Sequence, residues 1–86
     1  QNYPNPFNPT TTIEFEIPVT GHVALEVYNI LGARMAALVN DVKEAGFYQV
    51  VWDGKDEKRN AVASGVYLYR VTVGEFSSVR KMVMLK

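Results

Sequence analysis

Asp53, Asp56 and Glu57 are the first residues whose type and spacing could do chemistry, because neighbouring carboxylates can offer oxygen ligands to calcium. Calcium takes about six to eight such ligands. Lys55, Lys58 and Arg59 are interleaved among the three acids and the full ligand spacing of a calcium loop is missing, so this stretch reads as a solvated turn. His22, the single histidine, stands beside Gly21 with no serine, cysteine or second histidine at a telling spacing. It reads as a surface or strand-edge residue. Ser64, Ser77 and Ser78 lie in no nucleophile motif, and no glycine-rich phosphate loop is present. The expectation is a protein without catalytic residues, cofactor or resident metal.

Two other chemistries need weighing. Tyr3, Phe7, Tyr28 and Phe47 fall outside the apolar phase of the strands described below, and exposed aromatics of this kind could stack on sugar rings. The favoured alternative is that Tyr3 and Phe7 fold back over one end of the domain while Tyr28 and Phe47 pack under loops. The end of the chain, Lys81, Met82, Val83, Met84, Leu85 and Lys86, has four successive apolar residues bracketed by lysines. A strand with neighbours on both faces explains this, and so does a recognition tail read as an extended strand; the two are compatible.

The elements that hold these residues follow from length and pattern. A chain of 86 residues is long enough for one core and too short for a deep cleft with its own lid. Hydrophobic residues make up 48% and charged residues 21%, which is a globular composition. Nine basic residues balance nine acidic ones, against the strongly basic footprint of a nucleic-acid binder. The two halves differ: residues 1–44 carry five acids against two bases, and residues 45–86 carry seven bases against four acids. Oppositely charged strands lying side by side would account for that division. Cysteine is absent, so thiols say nothing about compartment. No apolar run reaches membrane-spanning length, and the start at Gln1 without methionine is read as a piece cut from a longer protein.

Alternation with period 2 dominates after residue 11. Ile13, Phe15 and Ile17 point one way and Thr12, Glu14 and Glu16 the other. Val23, Leu25 and Val27 repeat the pattern, and Tyr48, Val50 and Trp52 are expected inside with Phe47, Gln49 and Val51 outside. Residues 34–42 fit a helical turn or a bulged strand; a strand is favoured because both neighbours are strands. Tyr67, Tyr69, Val71 and Val73 share an inward face, and Gly74-Glu75 suits a type II′ hairpin turn into the last strand. A further short strand is expected around residues 61–63. The fold class is all-β, six to seven strands in two antiparallel sheets packed face to face. Residues 1–11, with three prolines and three asparagines, form an extended lead-in, and residues 12–86 form the sandwich.

The blocks Asn2-Tyr3-Pro4-Asn5-Pro6-Phe7, Val27-Tyr28-Asn29-Ile30-Leu31-Gly32, Trp52-Asp53-Gly54, Ser64-Gly65-Val66-Tyr67 and Lys81-Met82 resemble, in order and spacing, the type A C-terminal sorting domain of the bacterial type IX secretion system. The resemblance implies an immunoglobulin-like β-sandwich at the end of a larger exported protein, which passes through the periplasm to the cell surface or the medium. It also implies an outer-membrane translocon and a surface sortase as partners, an upstream cargo such as a hydrolase, and removal by that sortase. The signal residues it implies are Asn2, Tyr3, Pro4, Asn5, Pro6, Phe7, Gly65, Tyr67, Lys81, Met82, Val83, Leu85 and Lys86. The related immunoglobulin-like domain of the flagellar hook-capping protein shares the residue 27–32 and 52–54 blocks; the opening and closing blocks favour the sorting domain. Asn60 stands where the sorting family has a loop glycine, and asparagine suits the left-handed backbone expected there. Two structural expectations follow: partial burial of Tyr3 and Phe7, and a stiff lead-in holding upstream sequence away from the first strand.

Overall fold

The alternating runs become strands in the computed structural model, which describes residues 1–6 and 9–85. In chain order they are β1 (Asn2–Tyr3), β2 (Thr11–Ile17), β3 (Gly21–Asn29), β4 (Arg34–Lys43), β5 (Gly46–Trp52), β6 (Gly65–Val73) and β7 (Phe76–Met84). One sheet has the order β1-β2-β5 and the other β4-β3-β6-β7, with every pairing antiparallel. No helix occurs among the described residues.

Between the sheets lie Ile13, Phe15, Ile17 and Trp52 from one side and Val23, Leu25, Val27, Tyr67, Tyr69, Val71, Val73, Met82 and Met84 from the other, all buried. The expected inward phases are therefore the observed ones, and Tyr48 and Val50 pack against the same core. Trp52 meets Tyr67 edge-on at 5.4 Å between ring centroids, a geometry favoured by the ring quadrupoles.

The ambiguous stretch is a strand, and its register explains the ambiguity. Val39 faces Leu25, Ala37 faces Glu26, Ala36 faces Val27 and Arg34 faces Tyr28, so Leu38 and Met35 are extra residues on β4. Each extra residue reverses the inward phase once and erases simple alternation. The β6–β7 hairpin closes on the Val73–Phe76 pair through Gly74, whose φ of 55° suits the first position of a type II′ turn.

Three expectations differ from what is observed. The seventh strand is β1, inside the lead-in; near residues 61–63 there is only an isolated bridge between Lys55 and Ala61. The lead-in therefore does not hold its upstream end away from the first long strand: Asn2 and Tyr3 precede the prolines, keep the backbone groups a ladder needs, and pair with Ile13 and Thr12. In the charged loop, Arg59 rather than Asn60 takes the left-handed backbone, at φ 67°. Asn60 instead donates its backbone N–H to Asp56 Oδ1 and accepts one from the Asp56 amide.

Candidate functional site

The two ends of the chain meet. Val83 on β7 donates its backbone N–H to the side-chain oxygen of Asn5 at 2.9 Å, across 78 residues of sequence. Beneath this contact Asn2, only 4% exposed, donates from Nδ2 to the Pro4 carbonyl and to Thr11 Oγ1, both at 3.1 Å. Thr11 Oγ1 donates in turn to the Pro4 carbonyl at 3.0 Å. This buried polar knot fixes where the prolines leave the sheet. Such groups are costly unless paired, and here each finds a partner.

Gly54 brings the Trp52-Asp53-Gly54 block to the same end. A Cβ there would lie 2.6 Å from the Pro9 carbonyl oxygen and 2.7 Å from Met84 Cε, and the backbone has φ 74°. Only glycine fits both the space and the torsion. Gly65 is paired with Met84, Val66 with Val83 and Tyr67 with Met82. Four of the blocks read from the sequence therefore converge at one end of the sandwich.

The individual signal residues divide by exposure. Pro4, Asn5, Pro6, Lys81 and Leu85 are exposed, and Val83 and Gly65 are half-buried. Tyr67 and Met82 are buried and belong to the core; the Tyr67 hydroxyl donates to the Ala63 carbonyl at 2.6 Å. Phe7 and Lys86 lie outside the described residues. Tyr3 is 45% exposed, so the buried anchor of the lead-in is Asn2. Sequence reading took residues 1–11 as an extended lead-in rich in proline and asparagine; the signal it passed over was the amide side chains of Asn2 and Asn5, which supply hydrogen bonds beside prolines that lack a backbone donor.

The aromatics separate onto different faces. Phe47 is 81% exposed and packs under no loop. It shares the outer face of the three-stranded sheet with Tyr3 and with Gln49, whose Nε2 donates to Tyr3 Oη at 3.1 Å and to Glu14 Oε2 at 3.2 Å. Tyr28 is held on the other sheet by a polar network instead of a loop. Its hydroxyl donates to Glu26 Oε1 at 2.7 Å and accepts from Arg70 Nη2 at 2.7 Å, while Arg34 Nη1 donates to Glu26 Oε2 at 2.9 Å. The Tyr28 hydrogen bond, then that of Arg34, holds the Glu26 carboxyl below its ordinary range against the opposing effect of burial. Burial, followed by the Glu26 contact, pushes the Tyr28 hydroxyl up. Glu26 and Arg70 face each other across β3 and β6, the side-by-side opposition of charge expected from the two halves of the sequence.

The acids of the charged loop have protein partners. Asp53 pairs with Arg59 and accepts the Lys55 amide, Asp56 accepts the amides of Lys58 and Asn60, and Glu57 pairs with Arg34 Nε at 2.8 Å. Burial pushes the Asp53 carboxyl up, but the Arg59 contact and the Lys55 amide outweigh it, leaving the carboxyl below its ordinary range. No group of three or more potential metal-ligating side chains occurs among the described residues. His22 is exposed on β3.

Comparison with known proteins places this arrangement. FlgD from P. aeruginosa superposes with a TM-score of 0.69 at 23% identity, covering 86% of this chain and 57% of that one. PorZ of Porphyromonas gingivalis, described as an essential bacterial surface component of the type-IX secretion system, superposes with a TM-score of 0.69 at 18% identity, covering 100% of this chain and 11% of that one. At these identities the likeness is one of fold, an immunoglobulin-like sandwich. This chain spans little more than half of the FlgD chain and a small part of PorZ. No curated protein matches. The family model for the FlgD Ig-like domain matches residues 5–75. Of the two relatives weighed from the sequence, that match falls on the hook-capping type and not on the sorting domain that the opening and closing blocks favour. Covering most of the chain, it establishes that this protein belongs to the FlgD Ig-like domain family.

Proposed function

We propose that this domain is a noncatalytic sorting and cell-attachment module that directs a larger upstream protein across the outer membrane by the type IX secretion system. The address is the composite surface where the lead-in meets the terminal strand, read by the outer-membrane translocon, with the surface sortase removing the domain afterwards. The observation that carries this reading is the Asn5–Val83 hydrogen bond, which joins the two sequence blocks that distinguish the sorting resemblance. The fold likeness to PorZ over the full length of this chain supports it as well.

Truncating residues 81–86 is a poor test, because Met82 and Met84 are core residues. Each contributes about 1.5–3 kcal/mol by burial, so a truncated domain would fail by unfolding. Asn5→Ala and Lys81→Glu change exposed side chains and leave the core intact. In the parent protein the pair should retain cargo in the periplasm while the purified domain melts cooperatively. Undiminished surface display of the double variant would overturn the proposal.

A second reading rests on Phe47. An 81% exposed ring on the same sheet face as Tyr3, with the linked Gln49 and Glu14 side chains as hydrogen-bonding groups, has the composition of a glycan-binding platform. Retention of the domain on insoluble polysaccharide, lost on Phe47→Ala, would support a carbohydrate-binding accessory role; absence of retention removes it.

A further inference from the structure

We propose that the open edge of β7, from Ser77 to Lys81, receives an extended acidic peptide segment as an added strand. This names the partner chemistry at the recognition surface proposed above and rests on that reading for its biological setting. Register leaves this edge open. Val73 and Phe76 close a two-residue hairpin, so they form a hydrogen-bonded pair, and such pairs alternate along an antiparallel ladder. Phe76, Ser78, Arg80, Met82 and Met84 then turn their backbone groups toward β6. Ser77, Val79, Lys81 and Val83 turn theirs outward. Donation by the Val83 amide to Asn5, away from β6, agrees with this assignment. Asn5 supplies at that point the acceptor an incoming strand would bring. Among the described residues, the outward groups of Ser77, Val79 and Lys81 have no partner.

This edge also lacks the usual geometric protection. Open edges are commonly shortened, bulged or interrupted by proline, or guarded by charged side chains, which here are Arg80 and Lys81. β4 carries two extra residues and β1 is two residues long; β5 keeps an unshifted seven-residue register, but it offers a partner no charged side chain. β7 runs nine residues in continuous register with no proline, and Val79 on it is 56% exposed.

Charge selects the occupant. Arg80 and Lys81 are adjacent and exposed, so they project to opposite faces of the strand. Neither belongs to an ion pair among the described residues, where the pairs use Arg34, Arg59 and Arg70. Glu14 and Glu16 line the cleft that Arg80 also lines, without forming an ion pair with it. No acid occurs between Phe76 and Leu85. A strand with two consecutive acidic residues would meet both cations, and a β-branched neighbour would cover Val79. A second copy of the chain would instead bring two Arg80-Lys81 pairs into one short ladder, which like-charge repulsion disfavours.

The test uses the 86-residue protein, isotopically labelled, and the blocked peptide Thr-Val-Thr-Glu-Asp-Val-Thr, with a control carrying Lys-Lys in place of Glu-Asp. The acidic peptide should slow hydrogen exchange at the Val79 and Lys81 amides and bind at least about tenfold more tightly than the control. Raising salt should weaken the difference, and Arg80→Glu with Lys81→Glu, on exposed positions, should reverse the preference. Equal binding of the two peptides, protection on another strand, no binding, or dimerisation through β7 without peptide would each overturn the inference. No export machinery is present in this assay, so its failure is distinguishable from failure of the Asn5→Ala and Lys81→Glu export test.

Discussion

Two buried tyrosines carry opposite consequences for the same chemical change. Tyr67 donates its hydroxyl to Ala63, whereas the Tyr69 hydroxyl is buried without a hydrogen-bond partner among the described residues. A buried polar group left unpaired costs about 1–3 kcal/mol, and a satisfied bond contributes about 1 kcal/mol. Tyr67→Phe should therefore lower the melting temperature by about 5 °C, while Tyr69→Phe should leave it unchanged or raise it. Thermal denaturation of the two variants decides this; a larger loss for Tyr69→Phe would contradict the account. Glu26 gives a second test at this scale. Its folded pKa lies below the ordinary carboxylate value, because Tyr28 and then Arg34 favour the charged form. Its contribution is present above the unfolded pKa and disappears as pH falls through the folded one. Stability of the natural protein should thus decline more steeply than that of Glu26→Gln below about pH 4.5. Parallel acid limbs in the two pH–stability curves would assign the network no such role.

At the scale of elements, local alternation was legible wherever one strand residue faced one partner. Ile13, Phe15 and Ile17, or Tyr67, Tyr69, Val71 and Val73, could be assigned an inward face from the sequence because their ladders have no register shift. β4 was ambiguous for a physical reason: Leu38 and Met35 are inserted relative to β3. β1 was missed because the proline run masked the two pairing residues ahead of it. The Asn5–Val83 contact had no local signal, since its partners are joined only by tertiary folding. Gly54 could be read as a turn residue, but its packing against Pro9 and Met84 could not. Gly54→Ala should cost about 2–4 kcal/mol, combining left-handed strain with overpacking. Gly32→Ala, where φ is 84° and no atom lies within 4 Å of the added carbon, should cost only about 1 kcal/mol. Chemical denaturation of both variants measures the difference, and equal losses would refute the packing explanation.

For the whole molecule, the sandwich brings the first and last segments of the sequence into one surface, and that convergence is the basis of the proposed address. The core explains the fold, but it does not need the exposed side chains of Asn5 and Lys81. A spacer domain would tolerate their replacement; an address would not. The most direct measurement is to attach the domain to the C-terminus of a periplasmic reporter in a bacterium with a type IX system and to quantify reporter in the periplasm, on the surface and in the medium. The account predicts transfer out of the periplasm with the natural domain and retention with Asn5→Ala and Lys81→Glu. Retention with the natural domain, or equal transfer with both, would contradict it.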